Sequence, residues 1–470
     1  MGGLSRKATL IKTTQEKQDI PSLLVDSGNL LFNKTSLSTQ SAQKRLTAET
    51  ILEIYQSMGF GGVAVGPYDL AAGLEFLLAS QKNGFPWLSA NLLDKDKKPL
   101  FHPSLIQTVG DLKIGLIGLT GKTTRPNPLI TLAPYQDVLP QEVKTLAKQT
   151  DFVILLSSLT QKENTEISAR FDAVNLIVTA IKNNGNSRPK LINNTLVCQT
   201  RAQGKVQGVL TINPGNHSTW AQDDKKQLFA LRNRLGSYDW QLKRLKKHGS
   251  TPENKTKIQQ LANKKKKVMK QLDHLKEQIA YKEMNNLHDA IFQAQFLSLK
   301  GNVPQDAAIS KQIIALKYKI KNHNKKIRKE QKSIRERKKL SPLVGFKVCE
   351  ECHEEQVQAW QKSGHANAYT TLVQKEQNFN LDCLGCHVTT ATNPQHLTDT
   401  EKQALFQLGE TLRLVGCESC HGPGRAHAAD PETVPPIKIS ENTCLQCHTE
   451  EHSEQFHFQE KIKEIRCPAS

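Results

Sequence analysis

Eight of the ten cysteines in this chain fall into four Cys-x-x-Cys-His units: Cys349/Cys352/His353, Cys383/Cys386/His387, Cys417/Cys420/His421 and Cys444/Cys447/His448. Two thiols one helical turn apart, followed at once by an imidazole, suit c-type haem attachment. The thiols form thioethers with the two vinyl groups, and the histidine lies beneath the iron as proximal ligand. Zinc ribbons and disulfides also use paired cysteines, but zinc gives no reason for a histidine after every second cysteine. Each iron keeps a sixth position, and five further histidines lie in the same region: His365, His396, His427, His452 and His457. That supply fits mostly bis-histidine ligation, which favours electron transfer because no coordination site stays open. Five candidates for four positions do not by themselves close every iron. A multihaem oxidoreductase that reduces a small nitrogen or sulfur compound at one open haem therefore stands beside the electron-carrier reading.

The surrounding stretches resemble the cytochrome c-554 type of multihaem proteins. They are Cys349–His353 with Trp360, Ser363-Gly364-His365-Ala366, Asp382–Thr389, and Val415-Gly416-Cys417-Glu418-Ser419-Cys420-His421-Gly422-Pro423-Gly424 with His427 three residues on. The resemblance covers about residues 341–460. It implies a mostly helical domain, four covalently bound c-type haems, redox partner proteins, and distal ligation by His365 and His427. His396, His452 and His457 are further candidates for the remaining positions.

The elements that must carry these motifs separate by charge. Residues 221–340 hold 31 basic and 11 acidic side chains, net +20, whereas residues 341–470 hold 10 and 18, net −8. The surplus of +19 over the whole chain thus belongs to one stretch. Three modules are expected: 1–216, 221–340 and 341–470. The first reads as α/β, with strand-length apolar runs at Leu23–Val25, Val63–Val65, Ile114–Leu119, Phe152–Leu156 and Leu176–Val178, and helices over Ala48–Met58 and Asp69–Ser80. Two short strands, Leu191–Gln199 and Gly204–Ile212, should follow, joined by a turn at Gln203-Gly204. The middle module repeats apolar residues at 3-4 spacing in three runs, from Leu228 to Leu245, Ile258 to Ile279 and Ile309 to Ile320. It is expected to form a helical coiled-coil arm, either an antiparallel hairpin or a three-helix assembly. No apolar run approaches the roughly 18–20 residues of a membrane span.

Residues 1–215 resemble the 5′-nucleotidase branch of the calcineurin-like metallophosphoesterases. The matching segments are Gly2–Ile11, Leu24-Val25-Asp26-Ser27-Gly28-Asn29, Gly66–Gly73, Leu88–Asn91, Lys113–Thr120 and Asp151–Ser158. The resemblance implies two sheets flanked by helices. Family members clamp phosphate with two metal ions held by clustered Asp, Asn and His, and position by position those ligands are missing here. The bridging Asp falls at Asn29, the Asn-His-Glu triplet at Pro67-Tyr68-Asp69, a His at Ser158, and the closing Gly-His-x-His at Ala180-Ile181-Lys182-Asn183. Asn29 and Asp69 alone cannot hold a dinuclear site, so a catalytically silent scaffold is expected, with metal-dependent phosphate-ester hydrolysis as the alternative. Gly215-Asn216-His217 reads as a turn with Ser218 or Thr219 capping the next helix, and Gly121-Lys122-Thr123 lacks the upstream glycine of a phosphate-binding loop.

The basic arm, including Lys264–Lys267 and the Lys325–Lys339 cluster, could be a solvated face. It could also attract an acidic redox partner, the chain's own acidic haem module, or an anionic membrane surface. Nucleic acid is not expected, because covalent haem attachment takes place outside the cytoplasm. That fact places the chain in the periplasm or cell envelope. Met1-Gly2-Gly3 opens no export signal, so a longer start is expected. Cys198 and Cys467 could pair, or Cys198 could be a buried free thiol.

Overall fold

The computed structural model describes residues 2–37, 42–123, 129–181, 186–201, 204–215, 217–221, 224–247, 252–299, 301–332, 342–449, 452–453 and 455–468. The strands are β1 Leu24–Asp26, β2 Phe60–Ala64, β3 Trp87–Leu88, β4 Leu92–Leu93, β5 Ser104–Val109, β6 Leu112–Leu119, β7 Thr131–Leu132, β8 Phe152–Ser157, β9 Leu176–Thr179, β10 Ser187–Ile192, β11 Thr195–Gln199, β12 Val206–Asn213, β13 His217–Trp220 and β14 Asp289–Ser298. The helices over the same span are α1 Gly2–Gln18, α2 Ala42–Ser57, α3 Leu74–Lys82, α4 Tyr135–Leu146, α5 Gln161–Arg170, α6 Asp224–Lys247, α7 Pro252–Met284 and α8 Ala307–Lys332.

Two sheets face each other. β1, β2 and β3 run parallel, and the second sheet has the order β10-β11-β9-β8-β6-β5, parallel in its centre and antiparallel at both edges. All six residues of β8 are buried, because both faces of that sheet are covered. Ala64, Leu88, Leu116, Leu156 and Leu176 fill the space between the sheets. Leu52 and Tyr55 of α2 with Leu77 of α3 cover one outer face, and Leu139 and Val143 of α4 with Ile167 of α5 cover the other. The result is a helix–sheet–sheet–helix sandwich, α/β as expected.

Four local expectations are corrected. The helix expected over Asp69–Ser80 is broken at Gly73, whose φ of +96° favours glycine, into a 3-10 turn (Asp69–Ala72) and α3. The stretch Leu191–Gln199 is itself a hairpin, turning at Asn193-Asn194 between β10 and β11. β12 joins a different sheet, so the expected strand pair does not form; Gln203 lies outside the described residues. Ser218 and Thr219 cap no helix: they lie in β13, where the Thr219 hydroxyl donates to Asp289 Oδ1 of β14.

The last correction concerns the arm. α6 and α7 pair as an antiparallel hairpin: Asp239 bonds Lys265 at 2.6 Å, while Ala230 and Leu231 share a groove with Leu275 and Gln278. The third run does not join them. The chain first returns as β14, between β12 and β13, giving a third sheet. Trp220 anchors it, with edge-on contacts to Phe152 and Phe292 and an indole N–H donated to Asn175 O at 2.8 Å. α8 then packs on α1 and α2, burying Ile309, Leu316 and Ile320. The 3-4 spacing is the same in all three runs, so it could not tell a partner helix from a sandwich helix.

The C-terminal part is helical: α9 Phe346–Glu350, α10 Glu354–Gln361, α11 Ala368–Gln374, α12 Leu381–His387, α13 Asp399–Ala404, α14 Cys417–His421, α15 Arg425–Ala429, α16 Glu441–Leu445 and α17 Phe458–Ile465. None exceeds eight residues, well below the length at which a helix holds itself in water. A small core of Leu372, Leu381, Leu384, Val388, Leu405 and Phe406 surrounds α12. No described helix is long and apolar enough to cross a membrane.

Because the third sheet is anchored by Trp220 and β14 rather than by the hairpin, replacing residues 224–284 with a short flexible linker should leave the sandwich folded. Circular dichroism and a cooperative thermal transition of the remaining chain check this. Loss of that transition would contradict it.

Candidate functional site

The four motifs begin or end short helices. Cys349 lies in α9, Cys383 and Cys386 in α12, Cys417 and Cys420 in α14, and Cys444 in α16. Motifs far apart in sequence meet: Cys349 lies close enough to Cys417, and Cys386 to Cys447, for their thiols to influence one another. The Cys447 contact lowers Cys386 to about 7 against its partial burial, whereas burial pushes Cys383 and Cys420 up to about 11. A cavity of about 180 Å³ is lined by Cys386, Cys420 and Cys447, so thiols of three motifs border one space.

The histidines pair across motifs. The rings of His353 and His427 lie 6.2 Å apart between centres, with planes 21° from parallel. Those of His365 and His448 lie 6.1 Å apart, tilted by 57°. Two imidazole–metal bonds of about 2.0–2.1 Å, with roughly 1.1–1.2 Å from each nitrogen to its ring centre, predict a separation of about 6.2–6.6 Å for a linear arrangement. The observed spacing leaves room for one metal ion between the two imidazoles of each pair, and it also falls within the ~4.5–7 Å of ordinary ring pairs. The donor set, two thiols and an imidazole within five successive residues and a second imidazole nearby, fits a c-type haem.

Outer contacts fix the rings. The Nδ1–H of His427 donates to Val434 O at 2.7 Å, and that of His387 to Ala368 O at 2.8 Å, while His448 Nδ1 lies 3.0 Å from Ser453 Oγ. In the His427 and His387 rings this leaves Nε2 with its lone pair available to a metal. Burial lowers the pKa of His365, with help from nearby His448, and burial alone lowers that of His448; both shifts favour the neutral, ligating form. Glu418, inside the third motif, was not singled out from the sequence. It is buried, and its carboxylate accepts from the backbone N–H of Gly345, Gly424 and Val344 at 2.7–3.2 Å, tying the start of α9 to α14. An acid between two motif cysteines was the available signal.

The other sequence candidates are less engaged. His396, His452 and His457 are exposed. Among the described residues no ring contact pairs them, or His387 and His421, with another imidazole. Cys198 and Cys467 are both free thiols. The first packs in the inter-sheet core, where burial raises it to about 12, and the second is exposed beyond α17, so the suggested disulfide is not formed.

The sandwich brings Asn29, Asp69 and Ala180 together, and backbone groups occupy Asn29, Asp69 and Ser158. The Asp69 carboxylate is buried and accepts from the N–H groups of Asn29, Leu31 and Gly66, each at 2.8 Å. Asn29, at φ +59°, turns its Oδ1 to the Tyr68 N–H at 3.0 Å, and Ser158 Oγ accepts from Gly121 N–H at 2.9 Å. Lys182 and Asn183 lie outside the described residues.

Residues 348–422 match the family model of cytochrome c554 and c-prime. The C-terminal part resembles the cytochrome c-554 family. Over 105 residues it is 36% identical to cytochrome c-554 of Nitrosomonas europaea, covering 19% of this chain and 42% of that protein. The chain thus spans less than half the length of the curated relative it matches. Similar solved structures include the sulfate thiohydrolase SoxB of Thermus thermophilus in complex with glycerol (TM-score 0.46, 14% identity, 69% of this chain and 48% of that one). Another is a 5′-nucleotidase precursor from the same organism (TM-score 0.47, 16% identity, 68% and 54%).

Burial raises Asp69 to about 7, against the downward pull of its three N–H donors. Its folded pKa thus exceeds the ordinary value near 4, so its contribution to stability falls as pH rises through the window from about 4 to 7. Thermal unfolding of the wild type and Asp69→Asn at pH 4.5 and 7.5 should show the difference moving in favour of the variant at the higher pH. A pH-independent difference would contradict this.

Proposed function

We propose that this chain is a multihaem c-type electron-transfer protein of the periplasm or cell envelope, built on a catalytically silent phosphoesterase-like scaffold. The observation that carries the reading is the 6.1–6.2 Å spacing of two imidazole pairs, each joining a motif histidine to one outside the motifs. Cys349, Cys352, Cys383, Cys386, Cys417, Cys420, Cys444 and Cys447 would attach four haems. His353, His387, His421 and His448 would be proximal ligands, with His427 opposite His353 and His365 opposite His448. Bound haem supplies a one-electron iron couple. The chain's own groups hold three of the rings in place through Val434 O, Ala368 O and Ser453 Oγ, and His427 and His365 would fill the remaining iron position at two sites.

The modules read as a sandwich (1–216), a basic arm (221–340) and a haem module (341–470), with β14 and α8 of the arm built into the sandwich. Part of the basic surplus is engaged within the chain: Lys321 of α8 lies 3.4 Å from Glu376, and Lys325 sits over the Phe379 ring. The α6–α7 hairpin is the coiled-coil surface left for an acidic redox partner or an anionic membrane, and no nucleic acid is invoked. The scaffold is read as silent because Asp69, Asn29 and Ser158 are committed to backbone groups. A second reading, reduction of a small nitrogen or sulfur compound, is favoured at His387 or His421 by the absence of an imidazole partner among the described residues.

Matured in a periplasmic c-type system, the chain should give four haems per polypeptide by pyridine haemochrome assay. Fewer than four would overturn the multihaem reading. Carbon monoxide binding by the reduced protein would favour the second reading over the first.

A further inference from the structure

We propose that Gln43 of α2 and Asn324 of α8 are positioning residues for the second Cys-x-x-Cys-His motif, so that the α/β scaffold sets where the second haem sits. The inference rests on the haem reading of that motif. Gln43 is 5% exposed and Asn324 fully buried. The Gln43 amide is saturated: its Nε2 donates to Asn380 Oδ1 at 2.7 Å and Asp382 Oδ2 at 3.0 Å, and its Oε1 accepts from Leu381 N at 3.1 Å and Asn324 Nδ2 at 2.9 Å. Asn324 Nδ2 also donates to Phe379 O at 2.7 Å. Phe379, Asn380, Leu381 and Asp382 are therefore each held by one of two side chains more than 50 residues away in sequence.

These four residues lead into and open α12. Asn380 is its N-cap, accepting from Asp382 N at 3.0 Å, and Cys383 follows directly. A helix of seven residues has no stability of its own, so its placement is decided at its two ends. The C-terminal end is held within the haem module, through His387 Nδ1–H and Ala368 O. The N-terminal end is held by the scaffold. The other motifs are tied differently: Glu418 joins α9 to α14, and Gln395 donates to Leu445 O and Gln446 O at the end of α16. Without the Gln43 amide, the Leu381 N–H and the Asn324 amide lose a partner in a buried junction, and α12 must shift or admit solvent. Either outcome changes the surroundings of one haem and leaves three.

The test uses the mature holoprotein, comparing wild type, Gln43→Leu, Asn324→Leu and, as a control on the hairpin, Trp240→Ala. Potentiometric titration followed by EPR should show one midpoint potential shifted in Gln43→Leu and in Asn324→Leu, with three unchanged, and none shifted in Trp240→Ala. The shifted signal should be the one lost in His387→Ala. Four unchanged potentials in a folded, four-haem Gln43→Leu protein would overturn the proposal. So would rapid hydrogen exchange at Leu381 N–H in the wild type, a measurement that decides the matter even where the variants fail to fold. Fewer than four haems in the wild type would instead overturn the haem reading itself.

Discussion

On the proposed reading, the arrangement of the C-terminal part depends on two imidazole pairs held about 6 Å apart. Its other ties include the Glu418 carboxylate, the Gln43–Asn324 junction and the core around α12. Its helices are five to eight residues long, and its apolar core is a small cluster around α12. A bond shared by His353 and His427, and another by His365 and His448, would staple segments 74 and 83 residues apart. On the proposed reading the haems take the place of a hydrophobic core, and the scarcity of aromatic residues in the chain ceases to be a weakness.

The sandwich shows the complementary economy. It has the layers of an α/β domain, and loops at its strand ends bring Asn29 and Asp69 together. These side chains now satisfy backbone N–H groups that would otherwise be orphaned in a buried site. A carboxylate that accepts three N–H groups has little left to offer a metal. The sandwich also reaches the C-terminal part, through Gln43 of α2 and Asn324 of α8 at the start of α12. The formal charge follows the same logic, since the α8 lysines face Glu376 and Phe379 of the acidic module.

Much of this was legible in the sequence, for identifiable reasons. Strands such as β6 and β8 are buried on both faces and so read as unbroken apolar runs. The Cys-x-x-Cys-His units and the 3-4 spacing of α6 and α7 are local patterns, and the structure needs only local geometry to honour them. What escaped was non-local. β14 alternates Ala290, Phe292, Ala294 and Phe296 toward one face, a period of two that was hidden between two helical runs. The partners of His365 and His427, and the junction between Gln43 and Asn324, depend on residues far apart in the chain, and no spacing rule reaches that far. Exposed His396, His452 and His457 look the same in sequence as the two histidines that pair.

The most direct test of the paired imidazoles is the spin state of ferric holoprotein by EPR and visible absorption, compared with His365→Ala and His427→Ala. Each substitution should convert one low-spin haem to a high-spin form while leaving the other pair intact, and the double variant should convert two. Spectra that neither substitution alters would contradict the account.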